Sequence, residues 1–167
     1  MKYIREWTLD DTLDLVKAIN NKNVQDNLRD GLPFPYTEKD AGEYIHRTLC
    51  APADSAYSWA IHENNRAIGS IGIFRKDNIH CRTCEMGYYL AEPYWGRGIV
   101  TNAVKEACDF VFTHTDIVRI FAEPFSHNTA SCRVLEKAGF VLEGVLKKNA
   151  LKNGKILDMC MYALVKE

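Results

Sequence analysis

Two glycines directly before a predicted helix are the residues best suited to bind a charged ligand. Gly96 and Gly98 flank Arg97, and an amphipathic pattern predicts a helix over residues 99–113. Glycine allows a tight turn and lets a ligand approach the backbone without meeting a Cβ. The first N–H groups of a helix have no intrahelical partner and lie at the positive end of its dipole. This arrangement predicts a phosphate or pyrophosphate site, where Arg97 would add charge-assisted hydrogen bonds.

Other motifs for phosphate binding or hydrolysis do not occur, and a plain tight turn remains the alternative explanation of the glycines. The sequence has no GxxxxGK[ST], and Thr101 stands where a GxGxxG motif requires its third glycine. It also has no GxSxG nucleophile motif. The residues alone therefore predict an anion at a helix start.

A further pattern, Cys81-x-x-Cys84 beside His80, is similar to half of a zinc site. Structural zinc sites usually have a second pair of ligands, and no second CxxC and no HxxxH occurs. We therefore expect no bound metal and interpret this segment as a loop between two strands. The six cysteines are expected to be reduced thiols, because no export signal is recognisable.

The elements that must position these residues alternate between strands and helices, which indicates an α/β or α+β layered fold. Helices are predicted to begin near Thr8, Thr37 and Ile99, and near either Ser126 or Asn128. The first should bury Leu9, Leu13, Val16, Ala18 and Ile19. The segment 20–36 is predicted to be a loop, and Asn64-Asn65 and Asn153-Gly154 to be hairpin turns. The predicted strands cover residues 3–7, 57–62, 67–74, 85–91, 118–123, 140–146 and 156–165.

Length and composition indicate one ordinary globular domain over residues 1–167. Hydrophobic residues make up 47% of the chain, charged residues 26%, and the formal net charge is −1. This charge argues against a large nucleic-acid interface, which needs a basic face. The segment 1–6 lacks the apolar stretch of a signal peptide, and no apolar run is long enough to span a bilayer. We therefore expect a cytoplasmic protein with no nucleic-acid or membrane partner.

Several segments together resemble the GNAT superfamily of N-acetyltransferases, in particular the branch of the ribosomal-protein N-terminal acetyltransferases. The resemblance covers nearly the whole chain in order. The quoted segments are Glu85-Met86-Gly87-Tyr88-Tyr89-Leu90, Tyr94-Trp95-Gly96-Arg97-Gly98-Ile99-Val100-Thr101, Pro35-Tyr36-Thr37-Glu38-Lys39-Asp40-Ala41 and Asn128-Thr129-Ala130-Ser131-Cys132-Arg133-Val134-Leu135-Glu136-Lys137-Ala138-Gly139-Phe140.

The resemblance implies an α+β fold with α/β/α layers and a cofactor site for acetyl-CoA. The fold would have a mixed, mostly antiparallel sheet of about six to seven strands, flanked by about four helices. The strand that begins at Glu85 would splay in a V from its neighbour at a bulge. Its free backbone groups would hold the pantetheine arm, and helix-start amides would hold the pyrophosphate. The implied cofactor residues are Tyr88, Tyr89, Leu90, Trp95, Gly96, Arg97, Gly98, Ile99, Val100, Thr101, Asn128 and Ser131.

The resemblance also implies the chemistry, in which a primary amine attacks the thioester directly in a ternary complex. Glu85 is the candidate base that accepts the amine proton, and a solvated or arginine-paired carboxylate is the alternative. Ser131 is the candidate acid near the departing thiolate, and an ordinary first-turn serine is the alternative. Phe34 and Tyr36 belong to the loop that walls the acceptor site in the family, so we expect them to contact substrate.

The acceptor is open at this point. Trp95 replaces the usual Gln or Arg of the family motif, and Val100 replaces a small residue. Leu135 stands where polyamine acetyltransferases have a tyrosine that acts as the general acid. We expect a protein or peptide N-terminal amine. The alternatives are a small-molecule amine (an antibiotic, an amino sugar or a polyamine) and a catalytically silent acyl-CoA-binding domain. A homodimer is implied by analogy alone.

Overall fold

The computed structural model describes residues 1–52 and 55–167. These residues form one seven-stranded sheet in which one pair of neighbouring strands, the fourth and fifth along the chain, is parallel and the other pairs are antiparallel. The predicted mixed, mostly antiparallel sheet is confirmed. In sheet order, the strands are β1 (Ile4–Arg5), β2 (Ala56–Glu63), β3 (Arg66–Arg75), β4 (Thr83–Leu90), β5 (Arg119–Ala122), β7 (Lys155–Val165) and β6 (Val141–Lys152).

Five helices in the described residues cover the two faces of this sheet. They are α1 (Thr12–Ile19), α2 (Lys22–Gln25), α3 (Glu38–Leu49), α4 (Ile99–His114) and α5 (Thr129–Lys137). On one face α4 and α5 pack into a main core that includes Val104, Leu135 and Ile71. On the other face α1 and α3 form a second core around Leu15 and Ile45. The layered α+β architecture is therefore confirmed. No helix of the described chain has both the length and the apolar character needed to cross a membrane.

Helix and hairpin ends follow the local chemistry of the sequence. The Oγ1 of Thr37 accepts from the N–H of Asp40 at 3.2 Å, and the Asp40 carboxylate accepts from the N–H of Thr37 at 2.8 Å. This reciprocal capping box begins α3 as predicted. Both predicted hairpin turns are also present, with φ of 49° at Asn64 and 64° at Asn65, and of 51° at Asn153. Asparagine tolerates this left-handed region better than most residues.

The first helical segment differs from the prediction. Leu9 and Leu13, expected in its buried stripe, are 58% and 53% exposed. A 3₁₀ turn over Leu9–Asp11 precedes α1, and its tighter winding shifts Leu9 out of phase with the residues that follow. The Asp11 carboxylate fixes this turn, because it accepts from both terminal nitrogens of Arg5 at 2.7 and 2.8 Å.

The predicted loop over residues 20–36 contains the short helix α2, which the sequence analysis missed. Asn21 caps it, because its Oδ1 accepts from the N–H of Asn23 at 2.8 Å. The amide of Asn23 then donates to Glu92 Oε1 at 3.0 Å, in the turn that follows β4. Through this contact α2 supports the glycine turn before α4.

The splay of the sheet lies between β4 and β5. Their register covers only Thr83 to Glu85 on β4, so the part of β4 from Met86 to Leu90 has no partner on that side. Against β3, in contrast, β4 pairs continuously from Cys84 to Leu90 without a register shift. The expected bulge is therefore absent from the β3–β4 pairing, and the V arises because β5 leaves β4 after three residues.

Candidate active site

The turn that begins α4 has the geometry of an anion cradle. Gly98 is the N-cap in a left-handed conformation, with φ 74° and ψ 2°, and Gly96 also has φ 74°. A Cβ at either glycine would meet nothing within 4 Å. The first intrahelical bond of α4 joins the N–H of Asn102 to the Gly98 carbonyl at 3.2 Å. The N–H groups before it, from Ile99 to Thr101, therefore remain available to a ligand.

The two side chains beside these glycines have protein partners. The guanidinium of Arg97 pairs with Glu63 at 2.5 Å and lies 5.5 Å from the centre of the Tyr94 ring. An incoming phosphate must therefore compete with Glu63 for Arg97. The indole N–H of Trp95 donates to the Leu90 carbonyl at 2.7 Å. That carbonyl is consequently not a free group of β4, whereas the expectation was that the end of this strand offers free backbone groups.

The residues of β4 predicted to line the cofactor arm divide between two faces. Tyr88 and Leu90 belong with the main core, and the Leu90 side chain is only 5% exposed. Tyr89 packs against the second core on the opposite face, as alternation along a strand requires. Between Glu85 and Tyr89 on that second face, Gly87 is exposed and leaves open space. The sequence analysis did not predict this open space at Gly87, beside Glu85.

The predicted acid Ser131 lies beside a tyrosine of β4. Its hydroxyl is 2.8 Å from the hydroxyl of Tyr88, which also donates to the Ser131 carbonyl at 3.2 Å. Burial raises the pKa of Tyr88, so this phenol is neutral near neutral pH. The side chain of Asn128 caps α5, because its Oδ1 accepts from the N–H of Ser131 at 3.2 Å. The structure thus brings Ser131, Asn128 and Tyr88 together.

The predicted base Glu85 lies in a network of charges. Its Oε1 pairs with Arg29, and its Oε2 is 3.3 Å from Lys76 Nζ. The same guanidinium of Arg29 is 3.4 Å from Glu123 Oε2, just beyond the end of β5. The side chains of Glu85 and Glu123 are each 18% exposed. Glu85 thus has the arginine partner considered as the alternative to catalysis.

The loop before α3 and the final hairpin meet next to this network. Lys152 Nζ pairs with Asp30 Oδ1 at 2.6 Å, and the amide of Asn153 donates to Asp26 at 3.0 Å. Behind these contacts lies a cavity of about 270 Å³. Its lining combines charged and apolar residues, namely Arg29, Asp30, Glu123, Phe125, Asn149, Ala150, Leu151, Lys152 and Met159. The loop expected to wall the acceptor site is therefore in contact with the final hairpin.

The two aromatic residues predicted to contact substrate differ in exposure. Phe34 is 54% exposed, with Lys22 Nζ 5.6 Å from its ring centre, so it is open to a partner. Tyr36 is buried in the second core, and its hydroxyl donates to the Asp40 carbonyl at 3.3 Å. Burial raises the pKa of Tyr36 to about 12. The side chain of Tyr36 therefore has a structural role in the second core and does not lie at the surface of the loop.

Arg29 and Glu123 were missed in the sequence analysis. Glu123 had a recognisable signal, because the predicted strand 118–123 ends there and polar residues at strand ends often form sites. Arg29 gave no signal, since its partners lie far along the chain. The cysteine pattern at residues 81–84 does not form a ligand set: Cys81 is exposed, whereas Cys84 is buried in β4. Among the described residues no group of three potential metal ligands occurs.

Comparison of the sequence with known protein families identifies the family of this chain. The family model described as "Acetyltransferase (GNAT) domain" matches residues 3–141. The chain belongs to the GNAT family of acetyltransferases. This acetyltransferase is 37% identical over 114 residues to a probable N-acetyltransferase, YjcK, of Bacillus subtilis, a match that covers 67% of the chain and 63% of that relative. An uncharacterised N-acetyltransferase, p20, of Bacillus licheniformis is 32% identical over 136 residues, covering 79% and 76% of the two chains.

Solved structures share the fold of this acetyltransferase over almost its whole length. The ribosomal-protein-S5-alanine acetyltransferase of Vibrio fischeri superposes with a TM-score of 0.87 at 21% identity, covering 98% of this chain and 92% of that one. A spermidine N-acetyltransferase of Vibrio cholerae, in complex with CoA and spermine, has a TM-score of 0.81 at 20% identity and covers 98% and 94%. One fold therefore accommodates relatives with different amine acceptors.

Proposed function

We propose that this N-acetyltransferase uses acetyl-CoA to acetylate a primary amine, in the first place the N-terminal amine of a protein or peptide. The observation that carries the proposal is the row of available amides at the start of α4, next to the open edge of β4. The open space at Gly96 and Gly98 fits a diphosphate against the backbone. The proposed location is the cytosol, which suits six unpaired cysteines.

The proposed mechanism assigns a separate task to each group of residues. Amides from Gly96 to Thr101 bind the diphosphate, and the unpaired edge of β4 holds the arm that leads to the thioester. When bound, acetyl-CoA supplies an activated acetyl group. Glu85 removes the proton that prevents a primary ammonium from attacking, directly or through a water. A backbone N–H of β4 stabilises the developing oxyanion. As the C–S bond breaks, the Ser131 hydroxyl donates its proton to the leaving thiolate and regains the second proton that the attacking nitrogen loses, directly or through water.

A polyamine or another small amine is the second candidate acceptor. The observation that favours it is the presence of two carboxylates, Asp30 and Glu123, in the lining of the 270 Å³ cavity, where Arg29 and Lys152 are their cationic partners. A cationic amine can pair with these carboxylates in place of the two side chains. The apolar part of the same lining, which includes Phe125 and Leu151, favours a peptide terminus with an apolar side chain. The two candidate acceptor classes can be distinguished by testing both kinds of amine in one assay.

Acetyl-CoA should stabilise the protein against thermal unfolding. At a hundred times its dissociation constant, a ligand that binds only the folded state adds about 2.7 kcal/mol, which raises Tm by about 5–10 °C in a chain of this size. CoA should act similarly, and NADH serves as a control that carries a diphosphate without the pantetheine arm. No shift with acetyl-CoA at millimolar concentration would overturn the proposal. Thiol release with N-terminal peptides and with spermidine then separates the two acceptors.

Replacing Ser131 by alanine should lower kcat by about a hundredfold, the lower end of general-acid effects. The affinity for acetyl-CoA should change little, because the hydroxyl of Tyr88 still donates to the main chain of residue 131 at 3.2 Å. Single-turnover measurements with saturating cofactor check this, with Ser126→Ala as the matched serine control. An unchanged kcat would make Ser131 an ordinary residue of the first turn.

A further inference from the structure

The guanidinium of Arg29 lies between the carboxylates of Glu85 and Glu123. It pairs with Oε1 of Glu85 and is 3.4 Å from Oε2 of Glu123. Both carboxylates are mostly shielded, with 18% of each side chain exposed. Two negative charges so close together repel each other unless a cation lies between them. The pair of carboxylates is therefore a cation site, and Arg29 fills it.

With Arg29 in this position, each carboxylate oxygen of Glu85 has a cation beside it. Arg29 occupies its Oε1, and Lys76 lies 3.3 Å from its Oε2. A carboxylate can accept a proton only where a lone pair is free and within hydrogen-bond reach of the donor. An acceptor that needs the lone pair of Oε1 on which Arg29 lies must therefore displace Arg29 first.

Arg29 is the cation that can leave at little cost. It belongs to the loop between α2 and α3, and 63% of its side chain is exposed. An exposed ion pair of this kind contributes little to stability, since water solvates the released charge. Arg29 also lines the 270 Å³ cavity, so an acceptor that enters the cavity meets its guanidinium.

We propose that Arg29 is a resident substitute for the acceptor, which the primary ammonium of the acceptor displaces from Glu85 and Glu123. Resting on the proposed function, this inference makes Arg29 a specificity-determining residue. The ammonium takes the place of the guanidinium and donates to both carboxylates. One N–H bond then breaks, its proton passes to Oε1 of Glu85, and the amine keeps the electron pair for the attack. After acetyl transfer Glu85 releases this proton to water, and Arg29 returns.

A first experiment tests the cation site without any cofactor. In Arg29→Ala, methylguanidinium and methylammonium should bind in the vacated site. Each should raise Tm saturably, by about 3–6 °C at ten times its dissociation constant. Tetramethylammonium, which has no N–H donor, controls for ionic strength. In the unmodified protein, where Arg29 competes, the same shift should need about two- to fivefold higher concentrations, and it should be absent in the double variant Arg29→Ala/Glu123→Gln. Equal shifts in all three proteins would overturn the proposal.

A second experiment tests the competition during turnover. Arg29→Gln should lower KM for the amine by about two- to fivefold, the range that corresponds to an exposed ion pair. Arg66→Gln is the matched control, because Arg66 is 67% exposed and pairs with Asp14 at 2.8 Å outside the site. An unchanged KM would overturn the proposal, and a raised KM would instead assign Arg29 to an anionic group of the acceptor.

The outcomes separate this inference from the proposed function. Loss of the acetyl-CoA thermal shift concerns only the cofactor site, whereas the methylguanidinium experiment contains no cofactor. If acetyl-CoA binds and amines are acetylated, but Arg29→Ala gains no cation site and Arg29→Gln keeps its KM, the proposed function stands and the displacement of Arg29 is wrong.

Discussion

Gly98→Ala should bind acetyl-CoA about five- to thirtyfold more weakly than the unmodified protein. A non-glycine residue in the left-handed region costs about 1–2 kcal/mol, and the φ of Gly98 is 74°. The turn of the variant relaxes in the free protein, so binding must restore the strained conformation. Because a Cβ at this position meets nothing within 4 Å, the chain itself has space for alanine. Isothermal titration of acetyl-CoA gives the affinity directly.

Gly42→Ala is the matched control for this substitution. A Cβ at Gly42 also meets nothing within 4 Å, but this glycine lies within α3, in a helical conformation that alanine favours. The control should gain about 0.5–1 kcal/mol of stability and keep its affinity for the cofactor. If Gly98→Ala and the bulkier Gly98→Val both bind as tightly as the unmodified protein, the start of α4 is not the diphosphate site.

Glu85→Gln should lower kcat/KM about a hundredfold or more near neutral pH, with a defect that narrows as the pH rises. General bases contribute about 10²–10⁴ in rate. At neutral pH a primary amine is mostly protonated, so the reaction needs an acceptor for its proton. Above the pKa of the amine, the free base is abundant and the variant should approach the unmodified enzyme. Rates with one acceptor from pH 6 to 10 test this.

The control for Glu85 is Glu143→Gln. Glu143 also pairs with an arginine, at 2.5 Å from Arg119, and lies on β6 away from the proposed site. It should reproduce the rates of the unmodified enzyme at every pH. A pH profile of Glu85→Gln that is parallel to that of the unmodified enzyme would remove Glu85 from proton transfer and leave it as a partner of Arg29.

Features with a local cause could be predicted from the sequence. The capping box at Thr37, the turn at Asn153 and the glycine start of α4 each depend on residues within a few positions of each other. Their backbone preferences act before any tertiary contact forms. The prediction for the first helix was wrong for a similar local reason. An ion pair between Arg5 and Asp11 fixes a 3₁₀ turn where the prediction assumed continuous helical periodicity.

The candidate site was predicted only where a motif or the resemblance identified a residue. The contact of Tyr88 with Ser131 spans 43 positions along the chain, and that of Arg29 with Glu123 spans 94. No local pattern links the two ends of such a pair, because the contact depends on where the sheet splays. The same applies to Trp95, whose bond to the Leu90 carbonyl depends on how the turn after β4 folds back.

The cradle at the start of α4 consists of main-chain amides. Main-chain groups are common to all residues except proline at the N–H, so mutation can alter most side chains there without removing the ligand-binding groups. In the proposed function, acceptor recognition depends instead on side chains from three distant segments. Substitutions there can therefore change the acceptor while the main-chain cradle and the fold stay the same, and that fold is shared by solved structures with only 20–21% identity to this chain.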